Sequence, residues 1–114
     1  MSLAAYQRIR RIAESPRAAE ARLLGEVTGE MVRLRDAGRE PIAWMPALIR
    51  NREVWNAFAD ACATRGNALP DALRAQIISI SLWVDRHTSA IAAGHEDVEP
   101  LVEVNRLMIA GLSA

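Results

Sequence analysis

Residues 70–93 read PDALRAQIISISLWVDRHTSAIAA, and this stretch decides the fold class. Two periodicities compete within it. Ile78-Ser79-Ile80-Ser81-Leu82 alternates apolar and polar residues, the period of a half-buried strand. Leu73, Ile77, Ile80, Val84 and Ile91 recur at helical steps and line one face. The ends arbitrate. Pro70-Asp71 suits a helix start, because proline has no donor to leave unsatisfied and aspartate meets the positive end of the helix dipole. Gly94 supplies a stop. The helical pattern runs from cap to cap and outlasts the short alternation, so a helix is expected over Pro70–Ala93. Ile78, Leu82 and Trp83 fall off its main stripe. A helix that is apolar on more than one side must sit centrally or present a face to a partner.

The same reading extends outward. Residues 2–13 form a short amphipathic segment with Leu3, Tyr6, Ile9 and Ile12 on its apolar side. Ser15-Pro16 restarts the chain as N-cap and first helical residue. From Pro16 to about Ala37, Ala21, Leu24, Val27, Met31 and Leu34 share a face, and Gly38 closes the helix. Gly25 and Gly29 inside it either admit a close helix neighbour or are tolerated on a solvated side. A third segment, Trp44–Ala63, carries Met45, Leu48, Trp55, Phe58 and Cys62 on one stripe. Pro46 belongs in its first turn or earlier, since an interior proline breaks a helix. The fifth starts at Asp97 as cap, with Leu101, Val104 (or Asn105), Met108 and Leu112 as its stripe. The expectation is all-α: one domain over residues 1–114, a small antiparallel bundle of about five helices, with residues 1–14 as a short N-terminal helix.

Composition agrees and removes several function classes. The 114 residues include 21 alanines, against seven valines and three threonines. Fourteen arginines balance fourteen acids, and lysine is absent. A pI near 6.7 argues against a dedicated nucleic-acid domain. The most apolar stretch, Ile77–Val84, is far short of the ~20 residues of a membrane span. No apolar h-region opens the chain, so a cytosolic protein is expected. Arg8, Arg10 and Arg11 form a small basic cluster, while Glu14 and Glu20 spoil a transit-peptide pattern.

Catalytic chemistry is not legible. A lone Cys62 on an apolar stripe reads as buried and inert. His87 and His95 read as solvated, and no metal-ligand spacing or phosphate loop occurs. The expectation is a non-enzyme without metal or cofactor: an interaction protein.

A resemblance narrows this. Ala5-Tyr6-Gln7 with Glu14-Ser15-Pro16-Arg17, Trp55-Asn56-Ala57-Phe58, the run Asn67-Ala68-Leu69-Pro70 continuing through Leu73–Val84, and Val104–Leu112 together resemble the FlaF family of flagellar biosynthesis regulators. The resemblance covers nearly the whole chain. It implies a cytoplasmic protein that binds flagellin as an export chaperone and couples secretion to flagellin synthesis. Two alternatives stay open. One is translational regulation of flagellin messenger RNA, directly or through the companion regulator FlbT. The other is a non-catalytic scaffold for another flagellar regulator. Ile78, Leu82 and Trp83 are nominated as anchors for a partner helix, or else as core. Arg74, Gln76 and Asn105 match the family run and either meet the partner or join the bundle's own segments. Arg8, Arg10 and Arg11 are the candidates for contact with RNA or an acidic partner.

Overall fold

Four long helices lie among the described residues, and most of the short N-terminal helix expected over residues 1–14 falls outside them. The computed structural model describes residues 2–5, 16–64 and 69–113. Helix α1 spans Pro16–Asp36, α2 Pro41–Ala63, α3 Asp71–Ala92 and α4 Glu99–Ser113. Leu3–Ala5 are helical as well. The all-α expectation holds.

Both predicted glycine stops are Schellman closures. Gly38 and Gly94 have φ of 62° and 78°, which an L side chain resists. The Arg39 N–H reaches the Leu34 carbonyl at 3.2 Å, and the His95 N–H reaches that of Ala90 at 2.9 Å. These bonds satisfy carbonyls that the helix ends leave open.

Two starts differ from the sequence reading. Helix α2 begins at Pro41 rather than near Trp44, because Glu40 is extended and Pro41 takes the first helical position. Pro46 therefore lies inside the helix instead of in its first turn. The donor it lacks would have met the carbonyl of Ile42, a residue 80% exposed, so the orphaned carbonyl lies on a solvent-facing turn. Helix α4 begins at Glu99 rather than at Asp97. Asp97 still caps it, since its Oδ1 accepts the Glu99 N–H at 3.3 Å.

Packing is antiparallel throughout. Arg50 on α2 pairs with Glu30 on α1. Ser81 on α3 meets Trp55 on α2, and Arg74 meets Cys62 one helical stretch away. Arg35 on α1 pairs with Glu99 on α4. The order across the molecule is α4, α1, α2, α3, with α4 leaning over α2. The result is a slab of 43 × 41 × 20 Å, about two helices thick. Its radius of gyration is 15.4 Å, above the roughly 13 Å of a compact chain of this length. Among the described residues no helix is long and apolar enough to cross a membrane.

The core joins Leu24, Val27 and Met31 of α1 to Leu48, Trp55 and Phe58 of α2, Ile77 and Val84 of α3, and Leu101 and Val102 of α4. Trp55 and Phe58 meet edge to face, with centroids 5.4 Å apart. At its centre sits a polar network. Trp55 Nε1 donates to Asn105 Oδ1 at 2.8 Å. Asn105 Nδ2 donates to Thr28 Oγ1 at 3.0 Å and to Asn51 Oδ1 at 2.7 Å. Thr28 Oγ1 in turn donates to the Leu24 carbonyl at 2.6 Å. Ser81 Oγ donates to the Trp55 carbonyl at 3.1 Å, which brings in α3. Trp55, Asn51 and Asn105 are fully buried.

Replacing Asn105 by leucine strands the Trp55 N–H and the Asn51 side-chain oxygen in the core, while Thr28 keeps its bond to the Leu24 carbonyl. The expected loss is about 2–4 kcal/mol in urea unfolding, since each unsatisfied buried group costs on the order of 1–3 kcal/mol. Alanine at Asn56, which is exposed on the same helix as Trp55, is expected to shift the urea midpoint little.

Candidate partner-binding surface

The reactive side chains point inward. Cys62 is 4% exposed, and burial pushes its thiol up, with the nearby Arg74 charge pulling the other way. That favours the unreactive thiol. His87 is also buried, where the sequence suggested a solvated side. Its Nε2 lies 2.7 Å from the Asp97 carbonyl, and its ring stacks on Trp83 with centroids 4.8 Å apart. The helix turns His87 toward the loop before α4, so the polar neighbours Asp85 and Arg86 misled the reading. His95 is exposed. Among the described residues no group of three or more His, Cys, Asp or Glu is placed to hold a metal ion.

What faces solvent is more informative. A groove of about 500 Å³ runs between α1 and α2 on the side away from α4. Its floor is apolar: Leu23, Val27, Val54, Ala57 and Phe58. Leu23 is 42% exposed there, although Leu24 beside it and Val27 one turn on are core residues. The rim is charged, with Glu20 at one end, Glu26 and Glu53 at mid-length, and Arg33 and Arg50 toward the other end. Glu30 shares the arginine end and is bound by Arg50. No cysteine or histidine lines the groove.

The glycines of α1 leave space rather than filling it. A Cβ at Gly25 would meet nothing within 4 Å, and at Gly29 only the Arg33 side chain, 3.3 Å away. Of the two sequence readings, the close helix neighbour is therefore not present among the described residues.

A family model described as flagellar protein FlaF matches residues 2–112. The chain belongs to the FlaF family. Its role is accordingly flagellar. No curated protein and no solved structure gave a match.

The residues nominated from the FlaF-like run separate in space. At about 100° per helical residue, Ile78 and Leu82 lie roughly 40° apart on one flank of α3. Trp83 lies roughly 100° beyond Leu82, on the other flank, where it stacks on His87. The three are not one patch. Leu82 is 56% exposed, whereas Ile78 and Trp83 are half-buried against the core. Gln76 is exposed. Arg74 braces the bundle: it bonds Asp71 on its own helix and reaches the Cys62 carbonyl at the end of α2. Asn105 serves the bundle's own core. Arg8, Arg10 and Arg11 lie outside the described residues, as do Asn67 and Ala68 of the run. Sequence reasoning missed the α1–α2 groove, because its floor mixes residues from two helices whose pairing is not written in either.

These placements separate surface from core by measurement. Leu82→Arg is expected to leave thermal stability within about 0.5 kcal/mol of the parent. Trp83→Ala, which removes a stacked and half-buried ring, is expected to cost about 1–3 kcal/mol in the same scan.

Proposed function

We propose that this chain binds flagellin in the cytoplasm before export and thereby couples flagellin secretion to flagellin synthesis. Membership of the FlaF family supports the flagellar context. The observation that carries the finer reading is the apolar groove between α1 and α2. The bundle closes its own core on an internal network, yet leaves Leu23, Val27, Val54, Ala57 and Phe58 lining an open channel. An amphipathic helix laid into a groove is the matching occupant, read by anchors at three- and four-residue steps. Unassembled flagellin supplies amphipathic terminal segments that are aggregation hazards until paired. A chaperone must also release its client to the export machinery, so affinity should rest on a few central anchors.

On this reading the protein is a non-enzyme and needs no cofactor. FlbT enters as a second partner through which flagellin messenger RNA is controlled, without direct RNA contact by this chain.

Calorimetric titration of flagellin monomer into this protein tests the reading. Saturable one-to-one binding, a negative heat-capacity change and weak salt dependence are expected, as for capture of an apolar helix face. Absence of a flagellin complex, together with binding of flagellin messenger RNA that falls steeply with salt, would replace it with the translational reading.

A further inference from the structure

We infer that Asn51 and Thr88 hold one buried water between them, and that this water ties α3 to the polar network around Asn105. The inference concerns the interior of the bundle and stands apart from the flagellin reading.

Two polar atoms deep in the bundle lack a partner among the described residues: Asn51 Nδ2 and Thr88 Oγ1. Both residues are buried, Asn51 fully. The neighbours of Asn51 dictate its orientation. The Trp55 indole can only donate, so Asn105 turns its oxygen toward it. The Asn105 nitrogen then faces Asn51, which must answer with its oxygen. Asn51 Nδ2 is left pointing elsewhere, with hydrogens to give. Thr88 is constrained in its own way. Thr28, Thr64 and Ser89 each bond the carbonyl four residues back, at 2.6, 2.9 and 3.3 Å. Thr88 makes no such bond, so its hydroxyl is free of its own helix. Arg74 Nε and Asp85 Oδ1 also lack a bond, but they belong to partly exposed side chains at the molecular surface.

The helix register brings the two residues together. Ser81 meets Trp55 and Arg74 meets Cys62, a step of seven residues on each helix. One more step of seven sets Thr88 level with Leu48, three residues from Asn51. Three residues are about 4.5 Å of helix rise, which exceeds one hydrogen bond and lies within reach of a water bonded on both sides at about 2.8–2.9 Å. Both residues face inward. Asn51 falls between the core residues Leu48 and Trp55 on α2, and Thr88 between Val84 and Ile91 on α3. Asn51 Nδ2 donates to the water, and the water donates to the Thr88 hydroxyl oxygen. The Val84 carbonyl, one turn back from Thr88, is a third partner for the remaining hydrogen. About three polar partners is the usual number for an internal water, and polar groups left unpaired in a core are costly. The bond from Ser81 to the Trp55 carbonyl is otherwise the link from α3 to the network.

The test uses the full chain. A high-resolution crystal structure is expected to show one water within hydrogen-bond distance of both Asn51 Nδ2 and Thr88 Oγ1. In solution, the Asn51 side-chain amide protons should cross-relax with water with the sign of a long-lived water, and oxygen-17 relaxation dispersion should detect it. The oxygen-17 amplitude separates a held water from relay through the Thr88 hydroxyl proton. Thr88→Val keeps the shape and removes the hydroxyl. It is expected to abolish the Asn51 signal and to lower the oxygen-17 amplitude by one water, with circular dichroism unchanged. Thr88→Ser keeps a hydroxyl and is expected to retain both signals, and Ser89→Ala to alter neither. Absence of a water at that position, a direct bond between Asn51 Nδ2 and Thr88 Oγ1, or an Asn51 water signal that survives Thr88→Val would overturn the inference. If Thr88→Val does not fold, the crystal structure and the cross-relaxation of the parent chain decide.

Discussion

The carboxamide of Asn105 holds three hydrogen bonds at the centre of the bundle, and the arrangement of the helices depends on them. Its oxygen accepts from Trp55, and its nitrogen donates to Thr28 and Asn51. These partners sit on α1 and α2, and Ser81 extends the set to α3 through the Trp55 carbonyl. Polar groups in a low-dielectric core are costly unless paired, so the register of α4 that brings Asn105 to Trp55, Thr28 and Asn51 together is favoured, although Asn51 Nδ2 finds no partner among the described residues. A slide of one residue would turn Asn105 toward solvent and a neighbour inward. The apolar contacts around it supply most of the stabilisation but would accept many registers. The network selects among them.

That selection decides what is left outside. With Thr28 fixed inward, α1 presents Leu23 and Glu26 away from α4. With Trp55 fixed inward, α2 presents Glu53, Val54 and Ala57 on the same side. The groove between them is thus a consequence of the network, formed before any partner arrives. Surface ion pairs such as Arg35 with Glu99 and Arg50 with Glu30 trim the ends of this arrangement and add little stability individually. The flatness of the slab follows as well. Helix α4 lies over α1 and α2 and does not pack along α3, so the far flank of α3 stays open around Leu82.

Much of the fold was legible because it is local. Gly38 and Gly94 announced their helix ends, and both took the left-handed conformation that such ends require. The stripes through Leu24, Val27 and Met31, and through Leu48, Trp55 and Phe58, marked core faces that the structure keeps. Pro46 was misplaced because Pro41 offered an earlier start and the lost hydrogen bond fell on an exposed turn. The network was hidden because it joins residues 77 positions apart in the chain at the longest. One sign of it was present: Thr28, Asn51, Ser81 and Asn105 each occupy a core register on a different helix or turn, a short polar residue among apolar ones. That register decides for the bundle in the case of Asn105, which the sequence leaves open between a partner contact and the bundle's own segments. The sequence misplaced His87, since a face is fixed by the partner helix and the loop before α4, not by its neighbours in sequence. Trp83 and Leu82 are adjacent in the chain, and helical geometry alone places them on different flanks.

The central claim is that the chain folds completely around this network and meets its partner with a surface already formed. Amide hydrogen exchange, measured on the free chain and again with flagellin bound, tests it most directly. Amides of Asn51, Trp55 and Asn105 should be the slowest in the free chain, opening only with global unfolding, and flagellin should leave them last to open while adding protection elsewhere. Fast exchange at these three residues in the free chain, with their protection appearing only on binding, would contradict the account and mean that the partner completes the fold.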